Sequence, residues 1–185
     1  MAVKEVIRMG HPTLREVAEE VSVEEISTPE FRSLIQDMFE TMDEQEGIGI
    51  AAPQINVKKQ VAIVGIINED DEIDALVVIN PKITPLTKEL AGNWEGCLSV
   101  PGLRGYVERP DHIKVQFLDL EGKENNMEFS GFPAIVFQHE CDHLEGKLYV
   151  DRIKDPTKLS YLEEYCEFIE EDEDEVDLEI ESEEE

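Results

Sequence analysis

Gln138-His139-Glu140-Cys141-Asp142-His143-Leu144-Glu145-Gly146 contains the pattern His-Glu-x-x-His. On a helix, residues four apart share a face, so His139 and His143 can turn two imidazoles toward one metal ion. Glu140 follows the first of them and can reach a water activated by that ion as general base. The run ahead of the pattern, Ala134-Ile135-Val136-Phe137, is apolar, and Pro133 suits a first helical turn. Gly146 can adopt the left-handed conformation that ends a helix. The segment therefore predicts a short, mostly buried helix that carries metal ligands into a core, and the chemistry of such a centre is hydrolysis.

Two histidines leave the ligand set incomplete, because catalytic sites of this kind commonly use three protein ligands and keep one position for water. One candidate lies downstream. Thermolysin-like proteases place a glutamate on another helix after the second histidine, and Glu163 stands at a comparable distance. The local sequence Leu162-Glu163-Glu164-Tyr165 lacks the Asn that accompanies that glutamate, and acids are so frequent here that almost any spacing would meet one. The other candidate lies upstream, in Trp94-Glu95-Gly96-Cys97-Leu98-Ser99-Val100-Pro101-Gly102. Cys97 is a soft ligand that binds as thiolate. Gly96 allows close backbone approach, and Pro101-Gly102 turns the chain away.

A third segment, Glu46-Gly47-Ile48-Gly49-Ile50-Ala51-Ala52-Pro53-Gln54, has Gly-x-Gly but no further Gly, Lys or Ser/Thr at nucleotide-loop spacing. It reads as a wall of exposed backbone with one side-chain amide, that of Gln54, aimed inward.

Taken together, Gly47–Gln54, Glu95–Ser99 and Gln138–His143 resemble the three signature motifs of the peptide deformylase family, in order and at similar separations. His11-Pro12-Thr13-Leu14-Arg15 is similar to the family's N-terminal block, and the likeness runs from about residue 3 to 155. Cys141 and Trp94 fall at positions where the motifs vary. The resemblance implies that Cys97, His139 and His143 hold one divalent metal ion per chain. Ferrous iron is then the native ion, with zinc, nickel or cobalt able to occupy the site. It implies Glu140 as general base and then acid, and the Gln54 amide with the Leu98 N–H as oxyanion hole. Gly49 would offer its backbone to an extended peptide, while Ile48, Arg104, Ile135 and Val136 would line the substrate groove. The implied reaction removes formyl from the N-terminal formyl-methionine of newly synthesised bacterial polypeptides and releases formate. The alternatives are a His-Glu-x-x-His metallopeptidase and an inactive deformylase-like binding protein.

Composition sets the outer bounds. The chain has 185 residues, room for one domain with a real core. No apolar run reaches the roughly 18–20 residues of a membrane span, and Met1-Ala2-Val3-Lys4-Glu5 lacks a signal or transit pattern. Three cysteines, an odd number with one assigned to metal, fit a reducing bacterial cytoplasm rather than a disulfide scaffold. Cys141, about 200° around the helix from His139, is expected in the core; Cys166 has no assigned role. The net charge is −29, and residues 163–185 hold 15 acids and no Lys or Arg. Residues 1–169 are expected to be the catalytic domain and 170–185 an acidic, self-repelling, disordered tail. Such charge repels nucleic acid, so any ribosome association would be transient or use another surface.

The expected fold is α+β, one domain with antiparallel or mixed sheets around the metal-binding helix, and a C-terminal helix. Thr28 before Pro29 caps a helix whose Phe31, Leu34, Ile35, Met38 and Met42 fall at helical spacing. Strands are predicted at 60–67, 75–80 and 112–120, with an acidic loop at 68–74. Asp155-Pro156 is expected to open a final helix along Leu159, Leu162, Tyr165 and Ile169. His11 and His112 read as turn or surface residues.

Overall fold

The computed structural model describes residues 2–67 and 73–169. Its helices are α1 (Val23–Ile26), α2 (Pro29–Glu44), α3 (Gly131–Leu144) and α4 (Leu162–Phe168). Its strands are β1 (Gly49–Ala51), β2 (Val61–Ile67), β3 (Ile73–Pro85), β4 (Leu90–Cys97), β5 (Val100–Pro110), β6 (His112–Leu118), β7 (Glu124–Ser130) and β8 (Leu159–Tyr161). They form a five-stranded sheet in the order β1-β2-β3-β6-β7 and a three-stranded sheet in the order β4-β5-β8. All pairings between strands are antiparallel. The fold is thus α+β, as expected.

The five-stranded sheet lies between two helices, and the sequence of β2 shows why. Val61 and Ile63, with Val77 and Ile79 of β3, pack with Phe31, Ile35, Met38 and Met42 of α2. Ala62 and Val64, with Val78, Ile113, Val115 and Phe117, pack with Ala134, Val136, Phe137 and Leu144 of α3. A strand buried on both faces reads as a continuous apolar run rather than an alternating one. Helix α2 begins as the sequence predicts. The Thr28 hydroxyl accepts a hydrogen bond from the Phe31 N–H at 3.2 Å, and Pro29 occupies the first turn. Leu34 is only partly buried at the edge of this cluster.

Helix α3 has ten buried residues among its fourteen, so it crosses the interior instead of lying on the surface. It ends where Gly146 takes φ 72°, the left-handed cap conformation that glycine reaches without steric cost. The Phe129 and Phe137 rings stack at 4.3 Å and fix the helix against β7.

Three local expectations change. Asp155 caps only a single 3-10 turn, Pro156–Lys158, through the Thr157 N–H at 2.9 Å. The chain then pairs with the edge of β5, Leu103 opposite Tyr161, and the helix starts only at Leu162. The open edge of β5 offers backbone hydrogen bonds to 159–161, which take them as a strand. Cys141 is half-buried rather than in the core. Its side of α3 opens on a cavity of about 490 Å³ shared with Gln138 and Asp142. Of the acidic loop expected at 68–74, Ile73 and Asp74 belong to β3; the rest of that loop and the tail from Glu170 lie outside the described residues.

Candidate active site

Three separate elements bring the site together. Cys97 is the last residue of β4 and pairs with Val100, so Leu98-Ser99 is the tight turn of the β4–β5 hairpin. The hairpin lays Cys97 over α3, which supplies His139 and His143. One ligand atom from each of Cys97, His139 and His143 falls within 4.8 Å of the others. Cys97 Sγ and His143 Nε2 are 3.3 Å apart. A sulfur and two imidazole nitrogens this close, on rigid elements, suit a divalent transition metal. Among the described residues no other group of three such ligands is assembled, and Glu163 lies outside this one.

Gln54 sits in a 3-10 turn, Ala52–Ile55, directly after β1. Its Oε1 accepts from the Ala51 N–H at 2.8 Å, which turns its NH₂ toward Cys97 Sγ, 3.6 Å away. Glu140 is buried, and its Oε2 has no hydrogen-bond partner among the described residues. It lies so close to Gly49 that a Cβ there would come within 2.6 Å of Oε1. Gly49 is therefore required by the carboxylate next to it. A groove of about 430 Å³ opens over these groups. Every site residue named from the sequence lines it except His143, which lies behind Cys97. His11 instead caps the turn Pro12–Arg15 through Nδ1, and His112 lies on β6 beside Glu128.

Behind the ligands runs a buried charged chain that sequence reasoning did not assign. His139 Nδ1 is 2.8 Å from Glu95 Oε2, which leaves Nε2 as its ligand nitrogen. Arg109 grips Glu95 with two bonds, at 2.6 and 3.0 Å, and reaches Asp142 Oδ2 at 2.9 Å. Arg152 closes the chain on Asp142. Outer carboxylates of this kind fix the tautomer and orientation of ligand histidines. Glu95 carried a signal, since it lies two residues before Cys97 in one strand, although the pairing with β5 shifts register between the two. Arg109 and Arg152 carried none. Tyr149, also unassigned, is buried with its ring stacked on His139 at 6.1 Å.

The electrostatics follow from burial and this clustering. Burial alone would raise the Cys97 thiol, but His143 and His139 draw it down to about 5. The donor is thus poised as thiolate, the form that binds metal. Burial pushes the Glu140 carboxyl up to about 7, despite the nearby histidines. Burial would likewise raise Glu95, yet its bonds to His139 and Arg109 hold it below the usual carboxylate range.

The polypeptide deformylase family model matches residues 3–159. The chain belongs to that family. It is 48% identical over 172 residues to the peptide deformylase of Leptospira biflexa, covering 89% of this chain and 95% of that one. It is 49% identical over 163 residues to peptide deformylase 1 of Bordetella pertussis, covering 85% and 92%. Among solved structures, a class I type b peptide deformylase from Acinetobacter baumannii bound to Met-Ala-Ser superposes with a TM-score of 0.77. It shares 42% identity and covers 82% of this chain and 98% of that one. As a deformylase, the chain is a metal-dependent hydrolase that removes the N-terminal formyl group of newly made polypeptides. Neither the metallopeptidase nor the inactive-binder reading has support beside this.

Proposed function

We propose that Cys97, His139 and His143 hold one divalent ion, ferrous iron in the native enzyme, and that zinc, nickel or cobalt can replace it. The observation that carries this reading is the cluster of one sulfur and two imidazole nitrogens beside a buried carboxylate with an unpartnered oxygen. A bound ion would supply Lewis acidity and lower the pKa of water toward about 7. Glu140 takes the proton from the attacking water and later hands it to the leaving amine. Its burial and its unpartnered oxygen leave the carboxylate free to take up that proton and give it back. The Gln54 amide and the Leu98 N–H donate to the oxygen on which negative charge develops. Donors preset in this way can each be worth about 3 kcal/mol.

Substrate enters as an extended peptide along Gly49, with Ile48, Arg104, Ile135 and Val136 around it. The related Acinetobacter enzyme holds Met-Ala-Ser, the product that a formyl-Met-Ala-Ser substrate would leave. The methionine side chain occupies an apolar pocket formed by Ile135 and Val136 of α3. No helix among the described residues is long and apolar enough to cross a membrane. We place the enzyme in the bacterial cytoplasm, in transient contact with ribosomes, without affinity for nucleic acid because of its charge. Residues 1–169 act as the catalytic unit.

The substrate test uses three peptides. The carbon under attack in a formyl group carries only hydrogen, and a site that closes Cys97, Glu140 and Gly49 around that carbon would have little room for a methyl. Formyl-Met-Ala-Ser is hydrolysed, and acetyl-Met-Ala-Ser is much slower. Formyl-Gly-Ala-Ser is about 10- to 150-fold poorer, because a buried side chain of methionine's size is worth roughly 1.5–3 kcal/mol. Equal rates on formyl and acetyl peptides, followed by chromatography, would remove the steric basis of the assignment.

A further inference from the structure

The first residues of the chain reach the site without giving it a side chain. None of residues 2–12 is buried. Yet the Ile7 N–H donates to the Gln54 carbonyl at 2.9 Å, and the Met9 N–H donates to the Ser99 carbonyl at 2.7 Å. Those carbonyls belong to the two loops that supply Gln54 and Leu98. The loops have separate origins. Gln54 follows β1 of the five-stranded sheet, whereas Leu98-Ser99 is the tip of a hairpin in the three-stranded one. Across the gap the two loops share a long contact, Gln54 Nε2 to Cys97 Sγ at 3.6 Å. A cavity of about 610 Å³, lined in part by Ile7, Arg8 and Leu98, lies against the segment.

We propose that Ile7–Met9 is a backbone strap that fixes the separation of the two oxyanion donors. Two residues of chain span at most about 7 Å, so the bonds at Ile7 and Met9 form a tether of bounded length between the loops. Both ends of the tether are held. Upstream, the Ala2 N–H donates to Asp37 Oδ1 at 2.8 Å and the Lys4 N–H to Thr41 Oγ1 at 2.9 Å, both on α2. Downstream, the Thr13 hydroxyl donates to Asn56 Oδ1 at 2.7 Å. Asn56 is the residue that ends the Gln54 turn. Neither Ile7 nor Met9 lines the groove over the site; they are positioning residues that act through their N–H groups. A displacement of about 1 Å in a preset donor can cost up to about 10²-fold in rate. The inference rests on the proposed roles of Gln54 and Leu98.

The test deletes one strap bond without changing a side chain. The α-hydroxy analogue of isoleucine at position 7 puts an ester where the Ile7 N–H, the donor to the Gln54 carbonyl, was, in the full-length, metal-loaded enzyme. The expected result is kcat lower by about tenfold or more, KM within about twofold, and unchanged metal content. In a Gln54→Ala background the same ester adds less than about a twofold loss, because the donor it positions is gone. Turnover within about twofold of the parent overturns the strap. So does a loss that multiplies in full with that of Gln54→Ala, or one seen only in KM or metal content. Gln54→Ala alone leaves the strap intact and judges the underlying reading: if its turnover is near normal, the oxyanion assignment falls and the strap with it.

Discussion

Gly49 and Glu140 share a space that admits no third heavy atom. A Cβ at 49 would lie 2.6 Å from Glu140 Oε1 and 2.9 Å from its Cδ. Gly49→Ala must therefore move the carboxylate, the wall or both. The expected outcome is turnover lower by about tenfold or more with the ion retained, read as formate release beside elemental analysis. Arg109 poses a different problem, since its guanidinium is 4% exposed between two buried carboxylates. Removing one member of such a group strands the others, at a cost of about 3–5 kcal/mol. Arg109→Ala should lose that much in urea unfolding, and His139 should lose its fixed orientation with it. The ligand and general-base candidates were legible because His-Glu-x-x-His and Cys97 are local patterns with local meaning. Arg109 and Arg152 were not legible, because their roles exist only once β5 and the turn after α3 meet Asp142.

At the scale of elements, strands rich in β-branched and apolar residues were legible and the others were not. β2 (VAIVGII) carries its apolar residues in a run and β6 (HIKVQFL) alternates them with polar ones, and either pattern announces a strand. β4 (LAGNWEGC) and β5 (VPGLRGYVERP) contain glycine and proline that depress strand propensity. They form because hairpin pairing and the contacts of Trp94 with Tyr106 and Tyr165 outweigh that preference. β7 is an edge strand and β8 lies at the edge of the small sheet; both face water enough to lack an apolar signature. The N-terminal segment gives a pH test of its anchorage on α2. Burial would raise the Asp37 carboxyl, but the Ala2 N–H and the Lys4 ammonium hold it below its ordinary value. A depressed carboxyl stabilises the fold fully above its unfolded pKa, near 4, and loses that contribution as pH falls through the lower folded value. Asp37→Asn should therefore be less stable than the parent at neutral pH. The difference should shrink only below about pH 4, as followed by urea unfolding across a pH series. A difference that grows on acidification would contradict the anchor.

The whole molecule is a charged shell around an apolar interior. Most of its −29 is outside the site, and the 15 acids of 163–185 hold about half of it. That density offers no core of its own, so a chain ending at Glu170 should keep its melting temperature and turnover nearly unchanged. A large fall in either would mean that the acidic segment packs on the body. The account's central claim is that three residues hold one ion per chain while Glu140 moves the proton without binding that ion. The most direct measurement is metal content and formate release from formyl-Met-Ala-Ser, made anaerobically on the parent and on Glu140→Gln. The account predicts one ion per chain in both proteins and turnover lower by at least about 10²-fold in the variant. Near-normal turnover, or loss of the ion with the carboxylate, would contradict it.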